Sequence, residues 1–192
     1  MNINGVPIIP NGFRGIWQES LQPNAYYMNL AAYVVKTVKV TKRPYSYAAN
    51  AEDSSNPNVK EGENSSIEVK TKDGFVFPVD VEVSVKINAE DAAKVVALLA
   101  DPDQDLGNGY DVLEWKCILP SIRSIFRNIA ETKTALEYIN SRTQIEQEAT
   151  ELFRKDMERF FVQVDQVYIS KIGIGDTEQG KELLSTQTNR QL

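Results

Sequence analysis

The chain has 192 residues, of which 42% are hydrophobic and 25% charged, and its net charge is −6. These values predict one globular domain, and the negative charge argues against binding to a nucleic-acid backbone. The sequence contains no histidine and a single cysteine, Cys117. It therefore excludes Ser-His-Asp and Cys-His catalysis, histidine-ligated metal sites and an internal disulfide within this chain.

The sequence offers no membrane-spanning segment. Its longest apolar run, near Leu30–Val35, is far shorter than the roughly 20 residues that a bilayer requires. The N-terminus has neither the basic region nor the apolar region of a signal peptide, and is typical of the middle of a protein.

The N-terminal third is predicted to contain loops and short strands. Residues 1–29 are rich in Asn, Gly and Pro, which favour loops. Strands are predicted over Tyr33–Val40 and over Arg43–Ala49, with Pro44 near the start of the second. Residues 50–65 are polar and turn-rich, and they predict an exposed loop.

The stretch Ser66–Ile87 predicts a β-hairpin on which the rest of the chain is organised. From Val79 onward every second residue is Val or Ile and the residues between are polar, which is typical of a half-buried antiparallel strand. Asp73-Gly74 tolerates the positive φ of a hairpin turn. Pro78 has no N–H to donate, so it should lie at a strand start, an edge or a bulge.

Helices are predicted after this hairpin. Asn88 is predicted to cap the first helix, which ends at Asp101-Pro102, and a loop follows at residues 101–109. Pro120 is predicted to lie in the first turn of the second helix. Two capping boxes, Thr134 with Glu137 and Ser141 with Gln144, open a short helix and a longer one that runs to about residue 161. The apolar stripes of the three longer helices are Ala92, Val95, Val96 and Leu99; Ile122, Ile125, Phe126 and Ile129; and Ile145, Ala149, Leu152, Phe153 and Phe160, with Met157 at the margin.

The chain then returns to a strand over Val162–Ile174, and Asp176 is predicted to cap a final helix. Strands, helices and one last strand predict an α+β domain with a mostly antiparallel sheet covered by helices on one side.

Candidate chemical motifs are weak. Gly175–Lys181 has the spacing of a phosphate-binding loop, but Glu182 replaces the Ser or Thr that holds magnesium, so a capped helix start is the better interpretation. The carboxylates of Asp80 and Glu82 could act as a general acid and base, but no pocket signal accompanies them and a solvated strand face is the better interpretation.

Other candidate contacts are also open to two interpretations. Arg123 and Arg127 could bind an anion or acidic groups of a neighbouring subunit, or could lie on a plain helix surface. Cys117 is either a reactive thiol or a small residue in a packed segment. The aromatic residues Trp17, Trp115, Tyr26 and Tyr27 mark either a contact surface or the core.

Four stretches of this sequence resemble the SPFH superfamily, also called the Band 7 domain, which includes stomatins, prohibitins and flotillins. Asn24 and Leu30 depart from the family pattern in the first stretch, Lys86 in the second, and Phe161-Val162 in the fourth. The stretches are GIWQESLQPNAYYMNLAAYVVKTVKV, IEVKTKDGFVFPVDVEVSVKI, LPSIRSIFRNIAE, and the segment from Arg142 to Ile174.

The resemblance implies a non-catalytic α+β domain, at residues 1–174, followed at 175–192 by the start of a helical, coiled-coil extension. It implies an upstream membrane anchor outside this chain, and self-association into rings or cages beside a bacterial cell membrane, while this chain itself is expected to be soluble. The expected partners are other copies of the protein, the membrane and a membrane protease or other membrane protein, and not nucleic acid.

The resemblance brings no catalytic, cofactor-binding or metal-binding residues to this chain. The expected working surfaces are the polar face of the sheet, the helix that carries Arg123 and Arg127, and the C-terminal helix. Two alternatives remain: a soluble peptide- or ligand-binding module in which the sheet and helices frame a groove, and an enzyme.

Overall fold

A computed structural model describes residues 1–3, 5–22, 24–49, 64–99, 112–178, 180–183 and 185 of the protein. The strands are β1 (Asn2–Ile3), β2 (Val6–Ile9), β3 (Ile16–Trp17), β4 (Arg43–Tyr47), β5 (Ile67–Lys70), β6 (Val76–Ile87) and β7 (Val162–Ile172). The helices are α1 (Ala92–Leu99), α2 (Leu119–Thr132), α3 (Ala135–Asn140) and α4 (Arg142–Glu158). This arrangement confirms the predicted α+β class. The predicted loop at 101–109, and the loop at 50–65 apart from residues 64 and 65, lie outside the described residues.

The main sheet is built around β6, and every strand pair in it is antiparallel. β5 pairs with residues 76–79 of β6 and β4 with residues 81–85, so these two short strands follow each other along one edge. β7 pairs with residues 79–87 along the other edge, with two register shifts. A second, small sheet joins β1, β2 and β3 and contacts α1.

The predicted hairpin is confirmed by the pairing of β5 with β6. Gly74 has a φ of +88° in the turn, a conformation that residues with a Cβ rarely adopt. Pro78 pairs only with β5, because the pairing with β7 begins at Val79. It thus lies where β6 has a single neighbour, and its missing N–H leaves no gap in the β7 ladder.

The apolar face of β6 forms one side of the hydrophobic core. Its five Val and Ile side chains are all buried, and each contributes about 1.5–3 kcal/mol on burial. They belong to one cluster with apolar side chains of α1, α2, α4 and β7. The residues of this face are Val79, Val81, Val83, Val85 and Ile87.

The predicted strand over Tyr33–Val40 is wrong. Residues 33–40 belong to neither sheet, and of these residues Val38 packs against the core. Strand propensity reports how well side chains pack beside a neighbouring strand, so a β-branched run without such a neighbour gains little from it. The next predicted strand is present as β4, two residues shorter than expected.

The second predicted helix begins with a local distortion. A π-helical turn at Glu114–Ile118 leads into α2, where the N–H of Leu119 bonds to the carbonyl of Glu114. Proline lacks an N–H and crowds the carbonyl four residues earlier in a regular helix. Because the π turn widens the helix directly before Pro120, this residue fits in the first turn of α2, as predicted.

The first capping box is confirmed and the second is wrong. Thr134 and Glu137 bond reciprocally at the start of α3. The hydroxyl of Ser141 instead donates to the carbonyl of Glu137, one turn earlier, so it does not cap α4. Ser141 follows α3 directly, and both its backbone N–H and its hydroxyl donate to the carbonyl of Glu137, so the side chain is turned back toward α3.

The core stripe of α4 is rotated from its prediction, and α4 ends at Glu158 rather than near residue 161. Met157, expected at the margin, is fully buried, whereas Leu152 is 44% exposed and Phe160 is half-buried. Residues 145, 149, 153 and 157 recur at every fourth position, which keeps them on one face of the helix.

Three residues after the end of α4, Phe161 has a φ of +59°. This left-handed conformation is unusual for a bulky residue and explains why the family pattern has Gly here. The Phe161 ring packs against the core, and the ammonium of Lys94 lies 5.0 Å from its centre. These contacts offset part of the backbone strain.

The last predicted strand ends at Ile172, two residues early, and a 3₁₀ turn follows at Gly173–Asp176. The described residues from 178 to 185 are helical. Thr177 caps this helix, because its hydroxyl accepts a hydrogen bond from the N–H of Gly180 at 3.2 Å. The prediction that Asp176 is the cap is wrong; its carboxylate pairs with Lys171 at 2.7 Å.

Candidate interaction surfaces

The polar face of the sheet is less exposed than its alternation predicts. Asp80 and Ser84 are buried, and Glu82 is half-buried. The Asp80 carboxylate accepts a hydrogen bond from the N–H of Ala49 at 3.0 Å. Asp80 therefore fixes the chain that leaves β4, a structural role that accounts for its presence without acid–base chemistry.

The two arginines of α2 lie in different surroundings. Arg127 is exposed, and its Nε donates to the carbonyl of Glu68 in β5 at 3.2 Å. Arg123 is half-buried, close enough to Tyr47 that its charge favours the phenolate form. Arg127 thus tethers α2 to the sheet, whereas Arg123 lies near Tyr47.

The sequence did not predict that Glu114 and Tyr47 form a buried polar pair. The Glu114 side chain in the π turn is buried, and it lies near the buried hydroxyl of Tyr47. Burial, and then the charge of Glu114, raise the pKa of Tyr47 well above its ordinary value. The sequence signal was an acidic residue inside the apolar run VLEWKCIL.

Cys117 is a packed core residue. Its side chain is 3% exposed, and burial raises the pKa of the thiol to about 11. A thiol that remains protonated at neutral pH is a poor nucleophile. The structure thus favours the packing interpretation of Cys117.

The segment with phosphate-loop spacing is stabilised by its own side chains. Lys181, the residue that would contact phosphate, forms an ion pair with Glu178 at 3.2 Å. The carboxylates of Asp176 and Glu178 lie at the start of the helix, where a triphosphate would have to bind. These charges favour a capped helix start.

Residues 24–40, which we term the exposed N-terminal segment, form the largest run of apolar side chains on the described surface. Tyr27 is fully exposed, Val34 is 79% exposed and Leu30 is 74% exposed. Tyr26 and Val35 add to this surface, whereas Tyr33 stacks edge-on against Trp17 at 5.3 Å. Large exposed apolar patches mark contacts with proteins or membranes.

The charge around this segment differs from that of the whole chain. Between Glu19 and Glu52 the sequence has no acidic residue but contains four basic ones. Lys42 pairs with Asp165 of β7, and this interaction raises the pKa of Lys42. The basic residues are Lys36, Lys39, Lys42 and Arg43.

Across the described parts of the chain, no cluster of acidic or cysteine side chains is arranged to hold a metal ion. No helix within the same residues combines the length and the apolar character needed to cross a membrane.

Comparison with protein families identifies the domain. The model of the SPFH domain / Band 7 family matches residues 23–185. The chain belongs to this family. Members of the SPFH family are generally membrane-associated, scaffold-like and non-catalytic. The match includes the main sheet and helices α1 to α4, as well as the exposed N-terminal segment. No curated protein sequence matches this chain.

Proposed function

We propose that this SPFH domain is a non-catalytic unit of a membrane-associated scaffold. It self-assembles beside a membrane, where the assembly organises lipids or confines a partner such as a membrane protease. The observation that carries the proposal is the exposed N-terminal segment, which combines unburied Tyr, Leu and Val side chains with a sequence region free of acidic residues.

The segment has the chemistry of a membrane interface. Tyrosine is enriched at the lipid headgroup level, because its ring is apolar and its hydroxyl remains hydrated. Tyr26 and Tyr27 precede the exposed Leu30 and Val34, and the basic residues follow from Lys36 onward. Basic side chains near an anionic bilayer each add about 1 kcal/mol of attraction.

Three residues considered for catalysis or nucleotide binding have structural contacts. Asp80 binds the backbone of Ala49, the Cys117 thiol is buried, and Lys181 pairs with Glu178. These contacts support a scaffold rather than an enzyme.

Vesicle flotation tests the membrane contact. The wild-type chain should float with vesicles that contain anionic lipid and less with neutral ones. Replacing Tyr27, Leu30 and Val34 with Ser should lower the partition coefficient at least about tenfold, since it removes three apolar side chains. A matched control replaces exposed apolar residues elsewhere, Val76 and Leu152, with Ser. Equal flotation of the two variants would contradict the proposed contact surface.

Light scattering tests the assembly. At micromolar concentration this chain should be monomeric or weakly associated, because exposed ion pairs contribute only about 0–1 kcal/mol each. A longer chain that contains an upstream anchor and a downstream coiled coil should form large oligomers, because tethering raises the local concentration to millimolar levels. A longer protein that remains monomeric in nanodiscs would count against the scaffold itself.

A further inference from the structure

One edge of β7 bonds to β6, and α4 runs along the other edge. The outer edge of such a strand carries backbone N–H and C=O groups that can pair with a strand of another chain. In this protein, side chains of α4 bind these groups.

Two side chains of α4 accept hydrogen bonds from backbone amides of β7. The hydroxyl of Thr150 accepts from the N–H of Val167 at 3.1 Å, and the Glu146 carboxylate accepts from the N–H of Ile169 at 2.9 Å. The Thr150 hydroxyl also donates to the carbonyl of Glu146, which fixes its orientation.

Two arginines of α4 bind the carbonyls of the same edge. Arg142 donates to the carbonyl of Ile169. Arg154 donates to the carbonyls of Val164 and Asp165, at 3.4 and 3.2 Å. Along β7 the side chains of α4 thus act in turn as donor, acceptor, acceptor and donor, and they bind both N–H and C=O groups of this edge.

The spacing of these residues suits this arrangement. Positions 142, 146, 150 and 154 recur at every fourth residue, so they lie on one face of α4. That stripe runs beside the buried stripe at 145, 149, 153 and 157, which anchors the helix in the core. The packing of α4 thus places the polar stripe against the edge of the sheet.

We propose that Arg142, Glu146, Thr150 and Arg154 form an edge cap, which prevents the sheet from continuing into β7 of a second copy of this chain. The sequence of β7, VQVDQVYISKI, is rich in β-branched residues and is long enough to pair with a copy of itself. This inference does not depend on the proposed membrane scaffold.

The test removes both amide acceptors with the double variant E146L/T150V. Native-state hydrogen exchange should show that the amides of Val167 and Ile169 exchange at least about tenfold faster. Light scattering should then detect dimers and larger species, and thioflavin T fluorescence should rise, as strands pair between copies.

The matched control T143V/E151L makes the same two kinds of substitution at exposed positions of α4. It should retain the mass and the exchange rates of the wild type. The conservative E146Q variant keeps an oxygen acceptor for the N–H of Ile169, and it should also remain unchanged.

The proposal is overturned if E146L/T150V opens these amides but keeps the mass and fluorescence of the control. Unchanged amide exchange would overturn it as well, since the contacts would then not protect the edge. If the double variant does not fold, the same measurements of amide exchange, mass and fluorescence on the single variant T150V test the proposal. If T150V is unfolded too, the stripe serves folding rather than edge protection, and the proposal fails.

Discussion

Replacing Val83 tests the central claim that the apolar face of β6 is the core of the fold. Val83 is 0% exposed, and its neighbours across the ladders are Tyr45 of β4 and Val167 of β7. Val83→Ala removes two carbons, which amounts to about 1.6 kcal/mol of transfer free energy. With the cavity left between these two strands, the loss of stability should reach about 2–3 kcal/mol.

Val83→Asp should cost more than about 4 kcal/mol, because a carboxylate without a partner replaces the apolar contacts. That is a large part of the 5–15 kcal/mol typical of whole domains. The penalty also depends on pH. Burial raises the pKa of the introduced carboxylate above its unfolded value of about 3.9. Stability is therefore lost as pH rises from about 4, and part of it should return on acidification.

Urea unfolding followed by circular dichroism measures both variants. Lys86→Asp is the matched control, because Lys86 is exposed on the opposite face of the same strand, and it should change stability by no more than about 0.5 kcal/mol. An unfolding midpoint for Val83→Asp equal to that of the control would show that this face is not buried, and would refute the assignment of β6 as the core strand.

Four further outcomes are expected. Asp73→Ala should lower the unfolding free energy by about 1–2 kcal/mol in urea titrations, because the Asp73 carboxylate accepts from the N–H that opens α3. Phe161→Ala should destabilise more than Phe161→Gly in the same assay, because Gly relieves the positive φ whereas Ala keeps the strain and loses the ring. Cys117 should resist iodoacetamide at pH 8 until the protein unfolds, because its thiol is buried. Above pH 9 the thiol of the unfolded chain ionises, whereas the folded thiol, with a pKa of about 11, stays protonated. The unfolding free energy should therefore fall between pH 9 and 11. Calorimetry with Mg-ATP should show no heat at Gly175–Lys181, and micromolar binding that Lys181→Ala abolishes would contradict this.

The sequence determined the parts of the fold that depend on local periodicity and turn chemistry. The alternation after Val79 identified the core strand, and Asp73-Gly74 identified its turn. The pairing of Thr134 with Glu137 identified the start of α3. Each of these signals acts within a few residues of the chain, so it does not require knowledge of what packs against the segment.

The tertiary structure decided which segments find a neighbour. Tyr33–Val40 has the composition of a strand but lacks a ladder partner, and most of its residues are exposed instead. The rotation of α4, which buries Met157 and exposes Leu152, follows from how α4 packs against the rest of the core. Both outcomes depend on residues far away in the sequence.

The same distinction between sequence and tertiary structure applies to the candidate surfaces. The sequence located the aromatic residues Tyr26 and Tyr27, but their exposure became visible only in the fold. The edge cap on α4 could not be predicted from the spacing of its residues, since Glu146 and Thr150 resemble ordinary surface residues of a helix. Their partners are backbone groups of β7, and only the docking of α4 beside that strand brings the two together.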